Sequence, residues 1–193
     1  MTNFLSTLIL IFSNFSFANS NHGFSNFFNS FERLSANFTQ ITYSNTGTLL
    51  ASSSGTLLFK RPQQLIWHTL IPNERILLLN NTELWLIDIE LEQASLIQAT
   101  NLTQTPLYWL ISQPSDISHT PQYTHTKDKI DWYSTQQANQ LSFGFKDDVL
   151  QAITFNNKLD QTILVNFDSI SINPNIKINA FELNLAPEFD VLR

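Results

Sequence analysis

The sequence predicts a mainly β fold carrying two helices, arranged as one domain. Three observations lead there. Short apolar-rich runs recur between Pro, Asn and Gly breakers along most of the chain, the pattern of an antiparallel meander. Phe24, Phe27, Phe28, Phe31 and Leu34 repeat at helical spacing near the start, and Thr105-Pro106 opens a second amphipathic segment. At 193 residues the chain can bury one sizeable core and has little room for two.

Taken in order, the aromatic stripe predicts a helix of about three turns ending near Asn37. Strands are then expected at Phe38–Tyr43, at Gly55–Arg61 closed by Pro62, and at Leu65–Leu70 closed by Pro72, because Pro cannot donate to a ladder. Arg75–Leu79 and Leu84–Glu90 flank Asn80-Asn81, a pair that tolerates the left-handed backbone of a tight hairpin. Gln93–Gln98 is a further candidate. Thr105 suits an N-cap and Pro106 the first helical position; Leu107, Leu110 and Ile111 give that helix an apolar face, and Pro114 ends it. Strands resume at Asp131–Thr135, Leu141–Lys146, Gln151–Phe155, Thr162–Phe167 and Ser169–Ile172. Ile176 and Ile178 share one parity and Phe181, Leu183 and Leu185 the other, so a bulge or turn is expected near Asn179-Ala180.

Ile76–Leu79 and Leu84–Ile89 are apolar on both strand faces, and the chain holds sixteen Phe and four Trp. Two readings fit: an internal cavity, or a thick two-layer core.

Composition removes several functions. The net charge is −6 with ten Lys and Arg, which leaves no phosphate-tracking footprint for nucleic acid. There is no Cys, hence no disulfide scaffold, thiolate zinc site, Cys nucleophile or lipidation cysteine. The four glycines are not spaced for a phosphate loop, a dinucleotide fingerprint or a nucleophile elbow. His119 and His125 fall among Asp116 and Asp128, a pattern read as a solvated strand surface in preference to a metal site, and adjacent Asp147-Asp148 reads as a turn. No catalytic residue, metal or cofactor is expected. Phe4–Phe12 followed by Ser16-Phe17-Ala18 predicts a secretory signal peptide over residues 1–18, cleaved after Ala18, although no Lys or Arg precedes Arg33. The working domain is then 19–193.

One ordered set of residues resembles a known family. Phe38-Thr39-Gln40 is followed by Gly55-Thr-Leu-Leu-Phe-Lys-Arg-Pro62, Trp67, Pro72-Asn73-Glu74, Leu84-Trp85, Glu92-Gln93 and Thr105-Pro106. This series resembles the periplasmic lipoprotein carrier family, LolA, from about Phe24 to the closing Phe181–Pro187 and Asp190-Val191. It departs from the family in having Asn80-Asn81 where Asp-Gly is common, and Glu188-Phe189 where a tail glycine often stands.

The resemblance implies an unclosed antiparallel β-barrel, a half-barrel, with an α-helical lid over an apolar cavity. It implies a periplasmic chaperone that binds lipoprotein acyl chains. The implied partners are an inner-membrane lipoprotein-releasing ABC transporter and an outer-membrane lipoprotein receptor, with a monomeric carrier between them. The alternatives are a lipid-binding envelope sensor or a cavity hydrolase on a similar half-barrel. Leu57, Phe59, Leu65 and Trp67 are expected to line the cavity, with Trp85, Ile87 and Phe143 as further candidates. Arg61 matches the family's lid latch, and its donors are expected to reach carbonyls of the helix opened by Thr105-Pro106.

Overall fold

The computed structural model describes residues 22–98, 106–112, 120–135 and 141–193. The expected signal peptide, Thr105, Pro114 and His119 lie outside the described residues.

Helix α1 (His22–Asn29) leads into β1 (Arg33–Tyr43), β2 (Leu49–Lys60), β3 (Gln64–Ile71), β4 (Arg75–Asn80), β5 (Glu83–Asp88) and β6 (Gln93–Ile97). Helix α2 (Pro106–Ile111) precedes β7 (Gln122–Lys127), β8 (Ile130–Ser134), β9 (Ser142–Lys146), β10 (Val149–Asn156), β11 (Thr162–Ile172) and β12 (Asp190–Leu192). Among the described residues the twelve strands join one sheet in the order β12-β6-β5-β4-β3-β2-β1-β11-β10-β9-β8-β7. β12 and β7 are its two edges, so the sheet is unclosed, as expected. Neighbours are antiparallel except at one edge, where β12 lies parallel to β6 and pairs Asp190 with Gln93 and Leu192 with Ser95.

Strand alternation sorts the apolar residues onto two faces. The inner face collects Phe38, Leu57, Phe59, Leu65, Leu79, Leu84, Phe143, Phe145, Ile153 and Val165, together with α1 and α2, into one buried cluster. The outer face carries a smaller one made of Leu78, Trp85, Ile87 and Ala94, covered by Phe181. The middles of β4 and β5 therefore present apolar residues to both faces, which explains the unbroken runs Ile76–Leu79 and Leu84–Ile87. Gly55 sits where β2 and β3 shift register: a Cβ there would fall 1.9 Å from the His68 carbonyl oxygen, so only glycine permits the approach.

Several elements differ from expectation for local reasons. The first helix ends at Asn29, not near Asn37: Ser30 donates from both its amide and its hydroxyl to the Phe27 carbonyl, closing the last turn. Leu34 consequently sits on β1, where its neighbours pair with both β2 and β11. The two strands expected at Thr162–Phe167 and Ser169–Ile172 are one, β11, with a register shift against β1 and Ser169 in the left-handed region. Such a bulge inserts a residue without ending the ladder. Residues 174–189 form no strand and cross the outer face instead, with Phe181 buried. The Asp147-Asp148 turn is as expected: both residues have positive φ, the backbone of a two-residue hairpin, between Lys146 and Val149.

Candidate functional site

Arg61 follows the last residue of β2 and turns its side chain beneath both helices. It is 5% exposed, the one buried charged side chain among the described residues. Nη1 donates to the carbonyls of Phe28 at 2.5 Å and Phe31 at 3.0 Å, and Nε donates to that of Leu110 at 3.1 Å. A helix leaves its last four carbonyls without partners and concentrates partial negative charge there. Neither α1 nor α2 has a basic residue in its own last turn. One guanidinium, delivered by the sheet, thus serves the C-terminal ends of both.

Backbone bonds reinforce the junction. The Arg61 amide donates to Glu32 O at 2.8 Å, and that of Gln63 to Ile111 O at 3.2 Å. The rings of Phe28, Phe31 and Phe59 surround the guanidinium, with Cζ 4.8 Å from the Phe31 centroid. Burial pushes the Arg61 pKa down to about 10, which still leaves it charged at neutral pH. No carboxylate pairs with it among the described residues. The hub is also incompletely satisfied: Arg61 Nη2 and the Trp109 indole N–H are buried without a hydrogen-bond partner among the described residues. Each such donor costs about 1–3 kcal/mol.

Beside the hub lies an apolar pocket of about 240 Å³. Trp67 and Leu77 form one wall, Ile153, Phe155 and Val165 the other, and Leu107 and Leu110 of α2 border it; Gln40 is the polar residue among them. The Trp67 ring lies against that of Phe38, tilted by 31° with centroids 4.2 Å apart.

Of the residues singled out from the sequence, Trp67 lines this pocket. Leu57, Phe59, Leu65 and Phe143 face the same side but are fully packed, each at most 2% exposed, with the helices covering them. Phe143 meets the rings of Phe24, Phe28 and Trp109. Trp85 and Ile87 require correction: both belong to the outer cluster under Phe181, on the opposite face from the pocket. Their inward neighbour on β5 is Leu84. The expected Arg61 contact with α2 is present, whereas the two carbonyls from the α1 end were not anticipated, because they depend on that helix stopping at Asn29. The pocket walls on β10 and β11 were missed, although the spacing of Ile153 and Phe155, and of Ile163, Val165 and Phe167, marks an inward face.

A family model for the outer membrane lipoprotein carrier protein LolA matches residues 29–184. The chain belongs to the LolA family. The match spans Arg61, the whole pocket wall and the outer cluster through Phe181, while Phe24–Phe28 and β12 lie outside it. An outer-membrane lipoprotein carrier protein of Pseudomonas aeruginosa is 28% identical over 173 residues, covering 86% of this chain and 83% of the relative. One from Coxiella burnetii is 27% identical over 174 residues, covering 84% and 82%. Among solved structures, a LolA superfamily protein from Nitrosomonas europaea aligns with a TM-score of 0.50 at 10% identity, over 86% of this chain and 98% of that one. An uncharacterized conserved protein from Thermus thermophilus aligns with a TM-score of 0.56 at 7% identity, over 90% and 99%. At those identities the structural likeness speaks for the LolA half-barrel fold alone. Among the described residues no helix is long and apolar enough to cross a membrane, and no cluster of His, Asp or Glu could hold a metal.

Proposed function

We propose that this chain is the periplasmic carrier that accepts lipoproteins from an inner-membrane releasing ABC transporter, shelters their acyl chains on its inner face, and delivers them to an outer-membrane receptor. The expected signal peptide over 1–18 would place it in the periplasm, acting on 19–193 without catalysis or cofactor. Arg61 carries the reading. A charged side chain under an apolar cover is costly unless hydrogen-bonded, and here its bonds go to the helices that form the cover.

The pocket of about 240 Å³ falls below the roughly 300–1,000 Å³ of ordinary small-molecule sites, and a lipoprotein brings more than one acyl chain. Binding therefore requires α1 and α2 to lift. That movement breaks the Arg61 bonds and uncovers Leu57, Phe59, Leu65 and Phe143, which with Trp67 become the wall. Burying acyl chains there regains about 0.8 kcal/mol per CH₂, which offsets the exposure. In this account Arg61 is the latch that returns the helices when cargo leaves, and the receptor need only bind the cargo more favourably for transfer to proceed.

The test is release and transfer of a labelled lipoprotein. Addition of the mature chain should release the lipoprotein from inner-membrane vesicles containing the transporter, and acceptor should then remove it. Arg61→Leu should accept cargo and pass it on slowly; Arg61→Lys should be milder, since it keeps charge without the planar fork. Normal transfer by Arg61→Leu would rule out the latch, and failure of the unaltered chain to release any lipoprotein would overturn the carrier reading.

A further inference from the structure

The outer face holds a second pocket, of about 230 Å³, with a chemistry unlike the first. Arg33, Lys60, Lys177 and Gln64 line it, against Ile176 and Phe181. Three of the ten Lys and Arg of an acidic chain meet there. Arg33 and Lys60 stand directly opposite each other across β1 and β2, and Gln64 continues the row opposite Lys60 on β3. Like charges in that position repel and destabilise a sheet. No carboxylate relieves them: the ion pairs among the described residues are His68–Glu74 and Arg75–Asp88. Further along the same row, Asn80 lies opposite Gln64 and Glu83 opposite Asn80, but the Glu83 carboxylate accepts the Trp85 indole N–H. Lys177 arrives from the C-terminal segment, tied to this corner because the Asn173 side chain accepts the Glu32 and Arg33 amides while its own amide donates to Arg33 O.

We propose that this pocket binds a phosphate ester. Three cations and an amide donor suit a tetrahedral oxyanion, and the guanidinium of Arg33 presents paired donors of the right geometry. The volume exceeds that of a lone ion, and Ile176 and Phe181 offer an apolar wall to the short organic arm of an ester. Bound phosphate would cancel the Arg33–Lys60 repulsion, coupling occupancy to the seating of the C-terminal segment. The site is on the face opposite the acyl pocket and does not depend on the carrier reading.

The ligand could come from solution or from a phospholipid headgroup, and separate arms distinguish them. Glycerol phosphate is titrated against the full mature chain, followed by thermal unfolding and by amide NMR shifts at Arg33, Gln64 and Lys177, with sodium chloride at matched ionic strength as control. In parallel, the chain is sedimented with phosphatidylglycerol vesicles and with phosphatidylcholine vesicles. Glycerol phosphate should raise Tm by about 2–4 °C beyond the chloride control. Binding to phosphatidylglycerol vesicles as well would assign the headgroup; a response to glycerol phosphate alone would assign the soluble ester. Lys60→Gln should abolish the response and, without phosphate at low salt, raise Tm by about 1–3 °C by removing the repulsion. Equal shifts with chloride, an undiminished response in Lys60→Gln, or no response in either arm would overturn the proposal.

Discussion

On the inner face of the sheet the cover is two helices of eight and six residues, held at their ends by one guanidinium. On the outer face it is the C-terminal run through Phe181, which finishes as β12 and is stitched to β6 by strand pairing. Both covers bury apolar side chains, and the inner one buries many more. The difference is in what holds them. Helices this short are marginal by themselves and depend on packing, so their attachment rests on side-chain contacts, the Arg61 bonds and the single Gln63–Ile111 backbone bond, against two unsatisfied buried donors. The outer cover shares the sheet's own ladder. The same floor thus carries one lining fastened by helix-end contacts and one fastened by strand pairing, and the proposed carrier function assigns acyl chains to the first.

The largest expected effects come from truncating each lining. Phe143→Ala removes a ring that meets Phe24, Phe28 and Trp109 and should cost about 3–5 kcal/mol in urea unfolding. Trp85→Ala should cost about as much. The two should part in binding: per folded molecule, Trp85→Ala keeps its affinity for a fluorescent acyl probe and Phe143→Ala does not. Equal loss in both would break the distinction between faces. Native-state hydrogen exchange sharpens it further. Amides of α1 and α2 should exchange at least about tenfold faster than those of β5 and β6, since local opening tracks local stability; uniform protection would mean that the helices do not open independently. The smallest effect belongs to Arg75→Ala, which removes the ion pair of a solvent-exposed guanidinium with Asp88 at the end of β4 and should change stability by less than about 1 kcal/mol.

How far the sequence foretold this can be seen in individual residues. The strand meander, the start of α2 at Pro106 and the Asp147-Asp148 hairpin were legible, because breakers and alternation act locally. Arg61 was legible through the Lys-Arg-Pro stretch and its family resemblance. The sides of Trp85 and Ile87 were not: where the runs Ile76–Leu79 and Leu84–Ile87 are unbroken apolar, alternation carries no information about which face looks inward. The α1 carbonyls were hidden because Leu34 continues the helical spacing, while pairing of β1 with both neighbours overrides it. The outer basic pocket depends on Lys177 returning to Arg33 across more than 140 positions, and no local pattern announces that.

The proposed role of Arg61 as latch of the helical lining is tested most directly by acyl-probe affinity in Arg61→Leu. Leu fills apolar space and removes both the helix bonds and the unsatisfied Nη2, so the fold should survive. With opening made easier, the variant should bind the probe about tenfold more tightly, the equivalent of roughly 1.4 kcal/mol. An affinity equal to or weaker than that of the unaltered chain, in a variant with an unchanged circular dichroism spectrum, would contradict the account.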